Sequence, residues 1–183
     1  MNTAHWILIV VCALGAAGAL DAPDALAQKS FRGAAEGSYP PRHAAAFPGE
    51  TKQSLRQSKT PSGQAVSTHL RELKSGDRYY GTAWTPVPGA PASPAEQARL
   101  LELAAAAALK TEPGAILVSR QDISLTGIAG LAYVIDLPQS NTRMRQQIFM
   151  VTGVLVEQTY TGPAGTETRR EANRFFDSLR LVP

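Results

Sequence analysis

A chain of 183 residues with 44% hydrophobic and 18% charged residues has the composition of an ordinary globular protein and room for one domain with its own core; two would be cramped. The formal net charge is +3, and the 18 Lys and Arg residues are scattered rather than gathered in a run, which argues for a solvated surface and against nucleic-acid binding. Cys12 is the single cysteine, so no intramolecular disulfide can staple the fold.

The apolar run "ILIVVCALGAAGAL", Ile7 to Leu20, is too short to span a bilayer comfortably and is followed by the small-x-small pattern Ala25-Leu26-Ala27. Together they read as a secretory signal peptide, residues 1–27, cleaved between Ala27 and Gln28. The preceding "MNTAHW" has no Lys or Arg, which leaves a retained anchor as the alternative. Cleavage removes Cys12, Asp21 and Asp24, leaving 18 basic against 13 acidic residues, a charge of +5 and no thiol. Export to a periplasm or the outside of the cell follows, with no stable transmembrane segment after cleavage.

Residues 28–46 include Pro40-Pro41 and many small residues, show little periodicity and read as a flexible leader, so a single α+β domain is expected over 47–183. Weak alternation from Thr51 to Lys59 marks a polar strand, and "TPSG" at Thr60 to Gly63 turns the chain into a second strand, Gln64 to Leu73, with Val66, Thr68 and Leu70 on one side. After "KSGD" the stretch "RYYGTAWT" makes a third strand, with Tyr80, Thr82 and Trp84 opposite in face to Tyr79, Gly81 and Ala83.

Ser93, Pro94 and Glu96 spell a capping box for a helix from Pro94 to about Lys110, rich in alanines that let its backbone lie close to whatever it covers. Ile116 to Ser119 and Leu131 to Leu137 read as strands separated by the connection "LTGIAG". The stretch "RMRQQIFMV", Thr152-Gly153, "VLVEQTY" is a hairpin in which opposed residues have numbers summing to an odd value. Phe149, Val151, Val156 and Tyr160 therefore share a face with Arg145 and Gln147, and Ile148, Met150 and Leu155 share the other with Glu157. A second helix is expected from about Thr166, where Ala172, Phe175, Phe176 and Leu179 form one apolar stripe, Glu167 and Glu171 lie early, and Arg174 and Arg180 lie late. Leu179 to Leu181 can add a short edge strand that pins the terminus.

Residues that could carry chemistry are few. His43 borders the leader, and His69 sits mid-strand without a His, Cys or carboxylate at metal-ligand spacing. The chain lacks a nucleophile elbow, a phosphate-binding glycine loop and an HExxH helix, and Asp122 and Asp136 read as strand-end or turn residues. No catalytic, cofactor-binding or metal-binding residue is assigned. Two weaker binding cues are Arg143 with Arg145 and Gln147, suited to an anionic ligand, and Tyr79, Tyr80 and Trp84, suited to a small apolar molecule.

Several stretches together resemble the PsbP-like α+β group, which includes the PsbP extrinsic subunit of photosystem II, a Ran-GTPase-binding import factor and DcrB-like periplasmic lipoproteins. They are "FPGE" at Phe47 to Glu50, "TPSG", the capped helix followed by "EPGAIL", "GIAGLAYVIDL", "RQQIFMVTGVLVEQTYTGP" and "NRFFDSLRL". This chain departs from the group in its long leader and in Val156, where an aromatic is expected. The resemblance implies a twisted antiparallel sheet of six or seven strands flanked by a central and a C-terminal helix, and a non-catalytic accessory or binding role with no cofactor. The expected function is thus that of an exported, non-enzymatic protein engaging a protein or envelope partner through a sheet edge or the exposed hairpin. A hydrolase-like enzyme using His69 and a small-molecule binder near Trp84 are the alternatives.

Overall fold

A computed structural model describes residues 42–59, 65–110 and 112–182. The signal-like segment, its cleavage point, residues 28–41 of the expected leader and the "TPSG" turn lie outside the described residues.

The elements in chain order are β1 (Arg42–Ala44), β2 (Lys52–Lys59), β3 (Ala65–Ser75), β4 (Arg78–Pro86), α1 (Pro94–Ala108), β5 (Ile116–Leu125), β6 (Ile128–Leu137), β7 (Thr142–Val151), β8 (Val154–Gly162), α2 (Arg170–Asp177) and β9 (Arg180–Val182). Seven strands form one antiparallel sheet in the order β2-β3-β4-β8-β7-β6-β5, and β1 pairs with β9 in a separate two-stranded sheet. Seven strands and two helices make an α+β domain, as the sequence leads one to expect.

Two Thr-Gly dipeptides set the register of the right-hand half of the sheet. Thr126 and Gly127 have φ of 51° and 82°, Thr152 and Gly153 of 44° and 81°, which are the left-handed pairs that a two-residue hairpin turn needs to match strand twist. Threonine is strained there and glycine is not, so the second position takes the residue without a Cβ. The second turn places Val151 opposite Val154, Phe149 opposite Val156 and Ile148 opposite Glu157, the odd-sum parity read from the sequence. The first turn revises an expectation. "LTGIAG" is hairpin rather than loop, and β5 runs to Leu125 while β6 starts at Ile128. Gly130 lies within β6 because the Phe149 ring lies against it from β7; a Cβ there would stand 2.6 Å from the Ile148 carbonyl oxygen and closer still to the ring.

Side chains of opposite parity enter different clusters. Leu131, Tyr133, Ile135 and Leu137 of β6, with Met144, Ile148 and Met150 of β7 and Leu155 of β8, pack with Leu100, Leu101 and four alanines of α1. Phe149, Val151, Val154 and Val156 pack with Leu179 and Leu181, and Tyr80 and Tyr160 pack with Ala172, Phe175 and Phe176 of α2. All of Val154 to Tyr160 is buried, so the central strand β8 has no solvated side. The start of α1 is capped as expected: the Glu96 amide donates to the Ser93 hydroxyl at 3.3 Å, and that hydroxyl donates to the Glu96 carboxylate at 2.6 Å.

A strand precedes Phe47, inside the stretch read as leader, because Arg42–Ala44 pairs with β9, the strand expected around Leu179 to Leu181. Small, irregular sequence hid this strand, since its ladder partner lies more than 130 residues away, in β9. The second helix also starts later than expected, at Arg170. Thr166 is held in a turn, its hydroxyl bonded to the Pro163 carbonyl and the Tyr160 hydroxyl, and Glu167 points inward to Arg143 instead of decorating a first helical turn. Arg180 lies beyond α2, donating to the carbonyls of Asp177 and Leu179.

Phe175 is 0% exposed and touches the rings of Phe47, Tyr80 and Phe176. Phe175→Ala is expected to lower unfolding free energy in urea by about 3–5 kcal/mol; a loss under about 1 kcal/mol would show that the ring lies outside the core.

Candidate functional site

The sheet register aligns a polar row across the face that α1 contacts: Glu72 of β3, Gly81 of β4, Thr159 of β8, Gln146 of β7, Tyr133 of β6 and Arg120 of β5. In its middle the Tyr133 hydroxyl donates to Oε1 of Gln146, and Nε2 of Gln146 donates to Oε1 of Glu157 at 3.2 Å. Tyr79 lays its ring over Gly81, its hydroxyl 2.5 Å from where a Cβ would be. Four residues farther along β3 and β4, the hydroxyls of Thr68 and Thr85 bond each other at 2.9 Å.

Glu157 is the group for which sequence reasoning proposed no role. It is 1% exposed, flanked in register by Ala83 and Ile148, and among the described residues its Oε2 has no hydrogen-bond partner, nor has the Thr159 hydroxyl next along the same face. Burial pushes its pKa up to about 8, against the pull of the Gln146 amide toward the ionised form. The nearby tyrosines are shifted as well: Tyr79 is raised by burial and then by Glu72, with Arg56 opposing and Glu157 adding least, and Tyr133 is raised by burial and then by Glu157. The signal was present in "VLVEQTY", where an acid takes the parity of Ile148, Met150 and Leu155. Held protonated by burial, Glu157 is a buried carboxylic acid whose Oε1 accepts from the Gln146 amide.

The sequence-derived candidates separate. His69 and Trp84 do come together, opposite each other on β3 and β4 with ring centroids 3.5 Å apart and planes 6° from parallel. Burial lowers the His69 pKa, and among the described residues no carboxylate is hydrogen-bonded to it. This is a packing stack, and it supplies no acid–base pair. Tyr79, Tyr80 and Trp84 do not line one pocket: Tyr79 lies on the face opposite the other two, and Tyr80 is 1% exposed among Tyr160 and Phe175. His43 lies opposite Leu181 in the small sheet.

Arg143 and Arg145 share a face, as expected, but their charges are already answered within the domain. Arg143 donates to Asp136 at 2.5 and 3.0 Å and to the buried Glu167 at 3.0 Å, which raises its pKa and lowers that of Asp136. Arg145 donates to the Asn173 side chain at 2.7 Å and to the Glu167 carbonyl at 3.2 Å, and its guanidinium lies 4.1 Å from the Phe176 ring centre. Gln147 and Gln158 extend this seam, donating to the carbonyls of Phe176 and Phe175. The group read as an anion site therefore fastens α2 and the turn before it to the sheet. Asp122 answers Arg120 at 3.1 Å. Among the described residues no three His, Cys, Asp or Glu side chains are grouped to hold a metal ion, and no helix is long and apolar enough to cross a membrane.

No family model matches this chain, and no curated protein matches it. Among solved structures it is similar to a Pseudomonas aeruginosa protein of unknown function, at 20% identity and a TM-score of 0.46 over 72% of this chain and 96% of that one. The functional reading therefore comes from this chain's own residues.

An unfolded glutamate titrates near 4.5, so between there and about 8 the folded protein keeps a proton that the unfolded chain has released. Stability is thus fullest below the lower value and falls as pH rises through the upper one, by an amount on the order of 3–5 kcal/mol. Glu157→Gln is expected to flatten this slope in urea unfolding followed from about pH 5 to about pH 9; an unchanged slope would assign the proton to another group.

Proposed function

We propose that the chain is an exported, PsbP-like α+β protein that works without catalysis, as an accessory or binding domain for a protein or envelope partner, its sheet flanked by α1 on one face and by α2 with the C-terminal strand on the other. Export rests on the apolar run from Ile7 to Leu20 and the Ala25-Leu26-Ala27 pattern. The helix placement rests on the two sets of apolar contacts, one joining α1 to Tyr133 and Ile148, the other joining α2 to Tyr80 and Tyr160.

One observation carries the binding reading. Among the described residues the exposed large hydrophobic side chains are Leu55, Ile116, Leu117 and Val118, and all four lie on β2 or β5, the two edge strands of the seven-stranded sheet. A sheet edge offers unpaired backbone donors and acceptors, and apolar side chains beside them add contact area for an incoming partner. The alternative surface, the β7–β8 turn, has its flanking valines Val151 and Val154 at 2% and 6% exposure and so presents little apolar area.

The full chain, tagged at its C-terminus and crosslinked before recovery from an envelope fraction, is expected to retain one protein or envelope component reproducibly. Repeated recovery of nothing above background would reject the reading. His69→Ala is expected to leave that recovery intact, removing only a ring stack whose contribution to stability is about 0.5–1.5 kcal/mol.

A further inference from the structure

The two edges of the sheet are unlike. Along β2 the chain presents exposed Lys52, Gln53, Arg56 and Gln57 around the single apolar Leu55. Cations along an edge are the usual guard against strand addition. β5 has no such guard over its first three residues, where Ile116, Leu117 and Val118 are 60%, 43% and 47% exposed in succession. Its charged residues are answered within the domain: Arg120 bonds Glu102 of α1 and Asp122 of its own strand. The edge thus presents apolar side chains followed by an ion-paired cluster of one cation and two carboxylates.

We infer that β5 is the docking edge, and that its occupant is an extended, uncharged segment of a partner protein that adds as an eighth strand and lays apolar side chains against Ile116, Leu117 and Val118. This rests on the binding reading above and names its surface and partner chemistry. Two features favour a short segment over a second copy of this chain. One strand laid along a 10-residue edge buries on the order of half the ~1,600 Å² of a stable folded pair. The ladder to β6 also shifts register between Leu117 and Ser119, and such a bulge disfavours the long flat pairing that two identical β5 strands would need. The segment Ser119–Leu125 pairs regularly with β6 and leaves a regular outer row of backbone groups, so main-chain hydrogen bonds form there and side-chain contacts form at the apolar end.

The probe is a labelled peptide as long as β5, alternating Val and Thr and kept soluble by a terminal polyethylene glycol, titrated against the full chain. Expected are saturable binding and slowed amide exchange along β5. Replacing alternate peptide residues by Lys, or Leu117 and Val118 of the protein together by Lys, should weaken binding by about tenfold, because the apolar contacts at the Ile116–Val118 end of the strand are lost. The protein variant should keep its Tm, since both side chains are exposed, and Leu55→Lys should leave binding unchanged. Wild-type affinity in the β5 variant, loss of binding in Leu55→Lys instead, or a peptide-free dimer with protected β5 amides would overturn the inference. Capture of an envelope partner that survives the β5 substitutions would remove this edge and leave the binding reading standing. Failure of both capture and peptide binding would remove both.

Discussion

The two-residue turn at Thr152-Gly153 is the constraint on which the rest of the molecule depends. With both residues at positive φ, it fixes β7 against β8 in a single register, and a slip of one residue would exchange the faces of every side chain on the pair. Because β8 is buried on both sides from Val154 to Tyr160, that register divides the interior into two separate sets of contacts. One joins Ile148, Met150 and Leu155 to the alanines of α1, and the other joins Phe149, Val156 and Tyr160 to the aromatic and aliphatic residues of the C-terminal segment. Strands farther out inherit their facing from this pair through the ladders to β4 and β6.

Polar groups trapped by this arrangement serve opposite ends. Among the groups packed with α2, Arg143 has Asp136 and Glu167, and Arg145 has Asn173 and the Phe176 ring, while the second oxygen of Glu167 has no hydrogen-bond partner among the described residues. Removing one member of such a seam strands its partner in a buried place, which costs more than the pair contributes. On the α1 side the chain from Tyr133 through Gln146 ends at Glu157, whose second oxygen is unanswered, and neutralisation by a proton is the response that burial enforces. The contribution of Glu157 to stability is thereby larger in mildly acidic than in alkaline surroundings.

Much of the fold was legible in the sequence because local chemistry announced it. The Ser93-Pro94-Glu96 cap, the alternation in "RYYGTAWT", the parity of the β7–β8 hairpin and the stripe from Ala172 to Phe176 all correspond to what the structure contains. What escaped depends on distant groups. β1 pairs with the distant β9, Gly130 continues β6 under the Phe149 ring beyond the Thr126-Gly127 turn, and Glu167 lies outside α2 with its carboxylate on Arg143. The same distinction governs the site. Arg143 and Arg145 were found by spacing, but their partners, 7 to 28 residues away in sequence, decide that they are fasteners. Ile116 to Val118 read simply as a strand, and only the strand order makes them an edge.

The small sheet of β1 and β9 sets the mechanical character of the domain. Its strands are antiparallel with Arg42 opposite Val182, so residue 42 and residue 182 leave from the same end of the pair. Tension applied between those two points opens the ladder one rung at a time, as a zip opens, rather than shearing three rungs at once. The next resistance is Leu181 and Leu179 seated against Phe149 and Val156. A pull on the ends therefore first peels the C-terminal segment from one face of the sheet, while the β7–β8 hairpin beneath keeps its register.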